Sequence, residues 1–407
     1  MDDLSYAISA DIILDGCHGF ESYISSYTTG DRISRVVVVV SSCNIEFDQL
    51  QINFIGYQST RAHFAAPNKA HHQFQEIIEP SPESNLPAPQ ILRKNQRYSF
   101  GFAFDIPDIL PPSSCLHNKS APAIVRAAHL RPPPSLGDAT VSGLDGRLRD
   151  DFAPEACHIS YTIQLQIIRM NPVSGVEKSL FIRKQMLRIK PALDRSLVLH
   201  PGLISQSEYS IRGEKTIYAN RLKKTALGQL SAAIEDTPIR IWLPLRDPHI
   251  LISQTVRITL LYHPEEHSKS LSPPQLDSVE SQIIARTFHT TSTDGSYRPF
   301  EEKKCLGQPT KFHDKRFPPL LRPIFSVNWL QDETGGSFTT SLQVPVTLPR
   351  ENFIPSFHTC LVSRLYNLEY RLNIRKGGSI TLVAPLVISA KRDPAALPSY
   401  NATFGPI

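Results

Sequence analysis

The sequence contains no apolar run long enough to cross a bilayer. Its longest strongly apolar stretches, residues 36–40 and 379–390, are shorter than the roughly 18 residues that a membrane span needs. The first residues include two acids and lack the basic region and apolar core of a secretory signal. We therefore expect a cytoplasmic protein.

Glycine is scarce relative to proline, with 19 glycines against 34 prolines. Proline has no backbone N–H to donate, so it is excluded from helix interiors and central strands. The excess of proline predicts short strands, many sheet edges and long connections.

Closely spaced cysteine pairs are also absent. The six cysteines stand singly at Cys17, Cys43, Cys115, Cys157, Cys305 and Cys360. This usage is typical of free thiols in a reducing compartment rather than of a disulfide framework.

Three common catalytic motifs are missing: the nucleophile elbow, the phosphate-binding P-loop and the dinucleotide fingerprint. We expect a binding protein rather than an enzyme, and the sequence assigns it no cofactor and no metal. One enzymatic alternative stays open at His263, Glu266 and His267, which have the H-x-x-E-H spacing of some zinc enzymes. Because Pro264 follows the first histidine, a turn is favoured there over the helix that such a site needs. The pair His71 and His72 is predicted to be solvated in a loop.

The formal net charge of +5 is mild for a chain of 407 residues. It lacks the dense basic stripe of a nucleic-acid-binding protein, so we expect no nucleic-acid partner. Small basic clusters remain as candidate contacts for phosphorylated cargo or for an anionic membrane surface. The candidates are Arg93, Lys94, Arg97, Arg183 and Lys184.

Alternation of apolar and polar residues recurs along the whole chain and predicts half-buried strands. In residues 157–170, for example, Ile159, Tyr161 and Ile163 share one face while Ser160 and Thr162 share the other. Residues 220–236 fit either a helix or a strand. Long loops are predicted at residues 61–90 and 107–151.

At 407 residues the chain is too long for one ordinary compact domain. The predicted strands fall into two groups along the chain and do not alternate with helices. This pattern predicts an all-β protein made of two tandem immunoglobulin-like antiparallel β-sandwiches. We place the first at residues 1–192 and the second at residues 193–390. Residues 391–407 are rich in proline and polar groups, and we interpret them as a short flexible C-terminal tail.

Several segments of the sequence carry a resemblance to a known protein family. The segments "YTTGDRISRVVVVV" at 27–40 and "LQINFIGYQST" at 50–60 look like the opening of an arrestin N-terminal domain. The segments "YSFGFAFDIPDILPPSSC" at 98–115 and "HLRPPPSLG" at 129–137 are similar to the family's phenylalanine-rich and proline-rich stretches. Residues 150–169 and 353–372 continue the resemblance. Together these segments, which span most of the chain, resemble the fungal arrestin-like family of trafficking adaptors.

This resemblance implies the arrestin fold and a non-catalytic adaptor. Such adaptors link plasma-membrane transporter or receptor tails to the WW domains of a HECT-type ubiquitin ligase, for ubiquitin-dependent endocytosis. The implied ligase contact is Leu397, Pro398 and Tyr400, where leucine replaces the first proline of the usual Pro-Pro-x-Tyr motif. A cytoplasmic protein recruited to the plasma membrane or endosomes is expected, with peripheral membrane contact. The alternative is an arrestin-fold endosomal cargo-sorting or scaffold protein with no ligase contact.

Overall fold

A computed structural model describes most of the chain. The described residues are 7–14, 26–62, 69–79, 86–117, 119–138, 152–171, 175–192, 209–220, 225–243, 253–265, 272–297, 310–333, 336–349, 351 and 353–390. They form many strands and two short helical segments. The predicted all-β sandwich class is confirmed.

Among the described residues, ten strands precede residue 193. They are β1 (Ile8–Leu14), β2 (Ser26–Tyr27), β3 (Arg32–Ser41), β4 (Ile45–Glu46), β5 (Gln49–Arg61), β6 (Lys69–Glu79), β7 (Ile91–Leu92), β8 (Arg97–Asp105), β9 (Cys157–Met170) and β10 (Glu177–Ile189). One sheet has the order β1-β3-β8 and a second has the order β2-β10-β9-β5-β6, while β4 pairs with β7.

Twelve strands follow in the described residues of the second half. They are β11 (Arg212–Asn220), β12 (Thr225–Ile234), β13 (Ile239–Leu243), β14 (Ser253–Pro264), β15 (Leu276–Thr290), β16 (Thr310–Arg316), β17 (Leu320–Pro323), β18 (Leu330–Gln331), β19 (Phe338–Thr347), β20 (Phe357–His358), β21 (Val362–Ile374) and β22 (Gly378–Ala390). One sheet has the order β11-β12-β14-β19-β18. The other has the order β13-β22-β21-β15-β16, with β17 paired to β15 and β20 paired to β21.

The first core lies between the two sheets of the first half. Strand alternation sends every second side chain inward, as the buried Ile159, Tyr161 and Ile163 of β9 show. Phe54 of β5 and Phe104 of β8 meet across the core with ring centroids 5.9 Å apart. These aromatic residues bury large apolar areas, which is the main stabilising contribution to such a sandwich.

The second core is built in the same way from the sheets of the second half, and includes Leu230, Ile258 and Leu368. The first core also takes in four residues from far along the chain: Ile354, Phe357, Leu361 and Val362. Their burial in the first core means that the β20–β21 hairpin connects the two halves.

The helical segments are a 3-10 turn at Pro112–Ser114 and the helix α1 at Ala123–His129. Neither they nor any other helix of the described residues is long and apolar enough to cross a membrane.

The structure decides one open prediction and corrects three others. Residues 220–236 contain the strand β12, because Leu230, Ala232 and Ile234 alternate with more exposed residues at a sheet position. The predicted loop at 61–90 contains β6, in which Ala70, His72 and Phe74 face the interior. His72 is therefore buried rather than solvated, while His71 is exposed. The predicted loop at 107–151 contains α1.

The H-x-x-E-H stretch begins at the end of a strand. His263 belongs to β14 and pairs with Gln229 of β12, so it lies on extended backbone and not on the helix that a zinc site of this type needs. Glu266 and His267 are outside the described residues. The division of the chain at residue 192 stays a prediction, as does the tail at 391–407, which lies outside the described residues.

Candidate functional site at the junction of the two halves

The β20–β21 hairpin has a tight turn at its tip. Phe357 pairs with Arg364 and His358 with Ser363. The turn is closed by the Thr359 N–H, which donates to the Val362 carbonyl at 2.9 Å, and by the Val362 N–H, which donates to Thr359 Oγ1 at 3.1 Å. Cys360 is thereby held at the end of the hairpin.

This tip is buried in the first half of the chain. Thr359 Oγ1 donates a 2.6 Å hydrogen bond to Gln58 Oε1 on β5. Gln58 in turn lies 2.8 Å, through Nε2, from Nδ1 of His72 on β6. Buried polar groups in proteins usually have hydrogen-bond partners. Here the bonds give partners to the Thr359 hydroxyl at the turn and to the Gln58 amide.

A second segment meets the hairpin from the first half. The turn at Pro112–Ser114 presents Cys115, and α1 ends at His129. Val125, Ala128 and His129 are the buried residues of α1, so one face of this short helix packs inward. Its last residue therefore points toward the hairpin.

Cys115, His129 and Cys360 converge there into what we term the thiol–imidazole cluster. The Sγ atoms of Cys115 and Cys360 are 3.9 Å apart. His129 Nδ1 lies 3.4 Å from each of them. All three residues are at most 5% exposed, so the cluster is shielded from water.

Two further histidines surround the cluster. The rings of His358 and His117 have centroids 4.7 and 5.3 Å from that of His129. His358 Nδ1 contacts Ser363 Oγ. Within the described part of the chain, His117 Nδ1 and His129 Nε2 are buried without a hydrogen-bond partner.

The electrostatics of the cluster follow from burial and from the sulfur contact. The hydrogen bond from Cys360 lowers the pKa of Cys115 to about 4 against the opposing effect of burial. The same bond, together with burial, raises the pKa of Cys360. Burial lowers the pKa of His129 to about 4 and that of His358 to about 3. These imidazoles are therefore neutral near pH 7, the form that binds metal ions.

Two kinds of chemistry are open to two thiols and an imidazole at these distances. They can ligate a soft or borderline metal ion through two sulfurs and one nitrogen, a donor set typical of zinc. Alternatively, the thiols can be oxidised to a disulfide. Cys43, Cys115, Cys157 and Cys360 are free thiols in the structure.

Other contacts join the two halves beside the cluster. Thr60 Oγ1 donates to the Thr290 carbonyl at 2.6 Å. The fully buried Arg364 donates through Nε to Thr287 Oγ1 at 2.8 Å and through Nη2 to the Phe152 carbonyl at 3.2 Å. The junction is thus a buried polar region and not a simple linker.

The basic residues predicted from the sequence fall into two separate groups. Arg93, Lys94 and Arg97 are exposed in the turn from β7 into β8, where the Lys94 N–H donates to Asn44 Oδ1 at 2.8 Å. Arg183 and Lys184 are exposed on β10, opposite Leu165 and Gln164 of β9. The structure therefore brings the first three together but places the other two on the other sheet.

The predicted ligase contact, Leu397, Pro398 and Tyr400, lies outside the described residues. Sequence reasoning missed the thiol–imidazole cluster, because its members are separated by 14 and 231 residues. One signal was available: cysteine and histidine stand two residues apart at Cys115 and His117, and again at His358 and Cys360.

The sequence matches no protein-family model and no curated protein.

Proposed function

We propose that this protein is a non-catalytic adaptor that links the cytoplasmic tails of membrane transporters or receptors to a HECT-type ubiquitin ligase. The sequence feature that carries the proposal is the segment Leu397-Pro-Ser-Tyr400. It begins seven residues after Ala390, where β22, the last strand of the described residues, ends. The resemblance of the strand and proline-rich segments to fungal arrestin-like adaptors supports the same function.

The physical basis of the ligase contact is polyproline II recognition. A proline-led segment populates this extended form before it binds, so little entropy is lost on docking in an aromatic groove. Tyr400 follows Pro398 by two residues, which is the proline-to-tyrosine spacing of the Pro-Pro-x-Tyr motif.

An exposed apolar segment in the second half supports a protein or membrane-proximal partner. Between β17 and β18 the chain passes from one sheet to the other, and Ile324, Val327 and Trp329 pack against the second core. Phe325 and Leu330 instead face solvent, with exposures of 95% and 72%. Large apolar side chains held at the surface in this way are typical of interaction sites.

Reconstituted ubiquitin transfer tests the proposal. The full chain is incubated with an activating enzyme, a conjugating enzyme and a HECT ligase, and ubiquitin attached to the chain is measured over time. Tyr400→Ala removes the aromatic contact, while Phe404→Ala removes another aromatic residue from the same tail and serves as the control.

We expect ubiquitin to be attached to the wild-type chain and to Phe404→Ala at equal rates. The rate for Tyr400→Ala should be lower by at least about tenfold, as for the loss of an aromatic hot spot. Equal rates for all three chains would contradict the ligase contact and favour the alternative, an endosomal cargo-sorting or scaffold protein.

A further inference from the structure

We propose that Cys115, His129 and Cys360 bind a structural zinc ion that joins the α1 segment to the β20–β21 hairpin. The proposal concerns a site that adaptor function does not require, so either can fail without the other. Three observations support the zinc site: the geometry of the cluster, the backbone donor beside it and its place between the two halves.

The distances match those of a zinc site. Zn–S bonds of about 2.3 Å and Zn–N bonds of about 2.0–2.1 Å place two tetrahedral sulfur ligands about 3.8 Å apart, and a sulfur and a nitrogen about 3.6 Å apart. The cluster has 3.9 Å between its sulfurs and 3.4 Å between each sulfur and His129 Nδ1. One ion can therefore contact all three atoms with small adjustments.

A backbone donor already points at the cluster. The Leu116 N–H donates to Cys360 Sγ at 3.3 Å. Such second-shell hydrogen bonds orient metal ligands and stabilise the negative charge of thiolates. Leu116 directly follows Cys115, so the first ligand and this donor are positioned by one short segment.

The fourth ligand that we assign is His117. Its Nδ1 is buried without a partner among the described residues, and its ring is the neighbour of His129 at 5.3 Å between centroids. A rotation of this side chain would complete the four nitrogen and sulfur ligands of a closed structural site. A buried imidazole nitrogen that gains a metal bond no longer carries the cost of being unsatisfied.

Zinc is the metal that this donor set favours. Two thiolates and imidazoles in tetrahedral arrangement suit zinc, whereas magnesium and calcium prefer oxygen ligands. Because Cys115 and His129 come from the first half and Cys360 from the second, zinc bound there stabilises the association of the two halves. Metal bound only by the folded state adds its binding free energy to stability.

The test begins with the metal content of the full chain, purified from zinc-supplemented medium without a metal-affinity step. Elemental analysis should give about one zinc per chain, the content of a single closed site. Cys360→Ser should lose that zinc, while Cys43→Ser should retain it, because Cys43 is a half-buried thiol outside the cluster.

A second measurement covers the case in which Cys360→Ser does not fold. The metal-free wild-type chain is titrated with Co²⁺, whose tetrahedral thiolate complexes absorb intensely in the visible and near ultraviolet. Saturation at one equivalent supports the site, and weaker Co²⁺ binding by His117→Ala supports the fourth ligand. Co²⁺ binding by His117→Ala as tight as wild type would overturn that assignment.

Absence of both zinc and a Co²⁺ spectrum in the folded chain would overturn the proposal. A mass spectrum that shows Cys115 joined to Cys360 by a disulfide in the chain purified from the cytosol, without bound zinc, would overturn it equally. Retention of a full zinc equivalent by folded Cys360→Ser would place the metal elsewhere and exclude this site.

Discussion

Thr359 Oγ1 donates a 2.6 Å hydrogen bond to Gln58 Oε1, a residue 301 positions earlier in the chain. Both residues are buried, at 4% and 1% exposure. The bond ties the tip of the β20–β21 hairpin to strand β5 of the first half of the chain. Stability of the hairpin and of the first core is therefore coupled.

Replacing Thr359 with valine tests this coupling. Thr359→Val keeps the shape of the side chain but leaves Gln58 Oε1 without its donor and the Val362 N–H without its side-chain acceptor, so we expect the free energy of unfolding to fall by about 1–3 kcal/mol. Urea denaturation measures the change. Thr255→Val, at an exposed position of β14, is the control and should stay within about 0.5 kcal/mol of wild type. Equal effects of the two substitutions would refute the role of the bond.

Gly137 ends the proline-rich segment in a left-handed conformation, with φ of 71°. A Cβ atom there would lie 2.4 Å from the Cys157 carbonyl oxygen, so Gly137→Ala combines an unfavourable φ with a backbone clash. Gly175 has a similar φ of 65° but open space around it. We expect Gly175→Ala to cost about 1 kcal/mol, and Gly137→Ala to cost at least about 2 kcal/mol more in thermal or urea unfolding. Similar losses at both positions would show that the clash is relieved.

Buried His72 makes stability depend on pH. Burial lowers the pKa of the His72 imidazole to about 4 from its usual value of 6.5. Between these values the unfolded chain binds a proton that the folded chain does not, so this contribution to stability is complete above pH 6.5 and is lost as the pH falls toward 4. For one proton the slope is at most about 1.4 kcal/mol per pH unit.

Comparison of neighbouring variants isolates this contribution. Urea denaturation between pH 7 and pH 4.5 should show a shallower pH dependence for His72→Gln than for wild type. His71→Gln, which changes the exposed neighbour, should keep the wild-type dependence. A wild-type slope in His72→Gln would mean that other groups carry the effect.

How far the sequence predicts this structure depends on the range of the interactions. Strands such as β9 are evident because one face is apolar and the other polar over many residues. β6 is obscured, since its inward positions include His72 and its outer face is polar. β12 is ambiguous because Gly228 and several alanines carry no strong preference for strand.

The thiol–imidazole cluster lies beyond local reasoning for a different reason. Cys115 and His129 are brought together by a turn and a short helix, but Cys360 arrives from the other half of the chain through the pairing of β20 with β21. Only the tertiary fold brings the three residues into contact, so composition and spacing alone gave no metal site.

Titration calorimetry of the full chain with the WW domains of a HECT ligase tests the adaptor proposal most directly. We predict micromolar affinity for the wild-type chain and for Phe404→Ala. Tyr400→Ala should weaken binding by at least about 2 kcal/mol, or about thirtyfold in Kd. Absence of binding by the wild-type chain, or equal binding by Tyr400→Ala, would contradict the proposal.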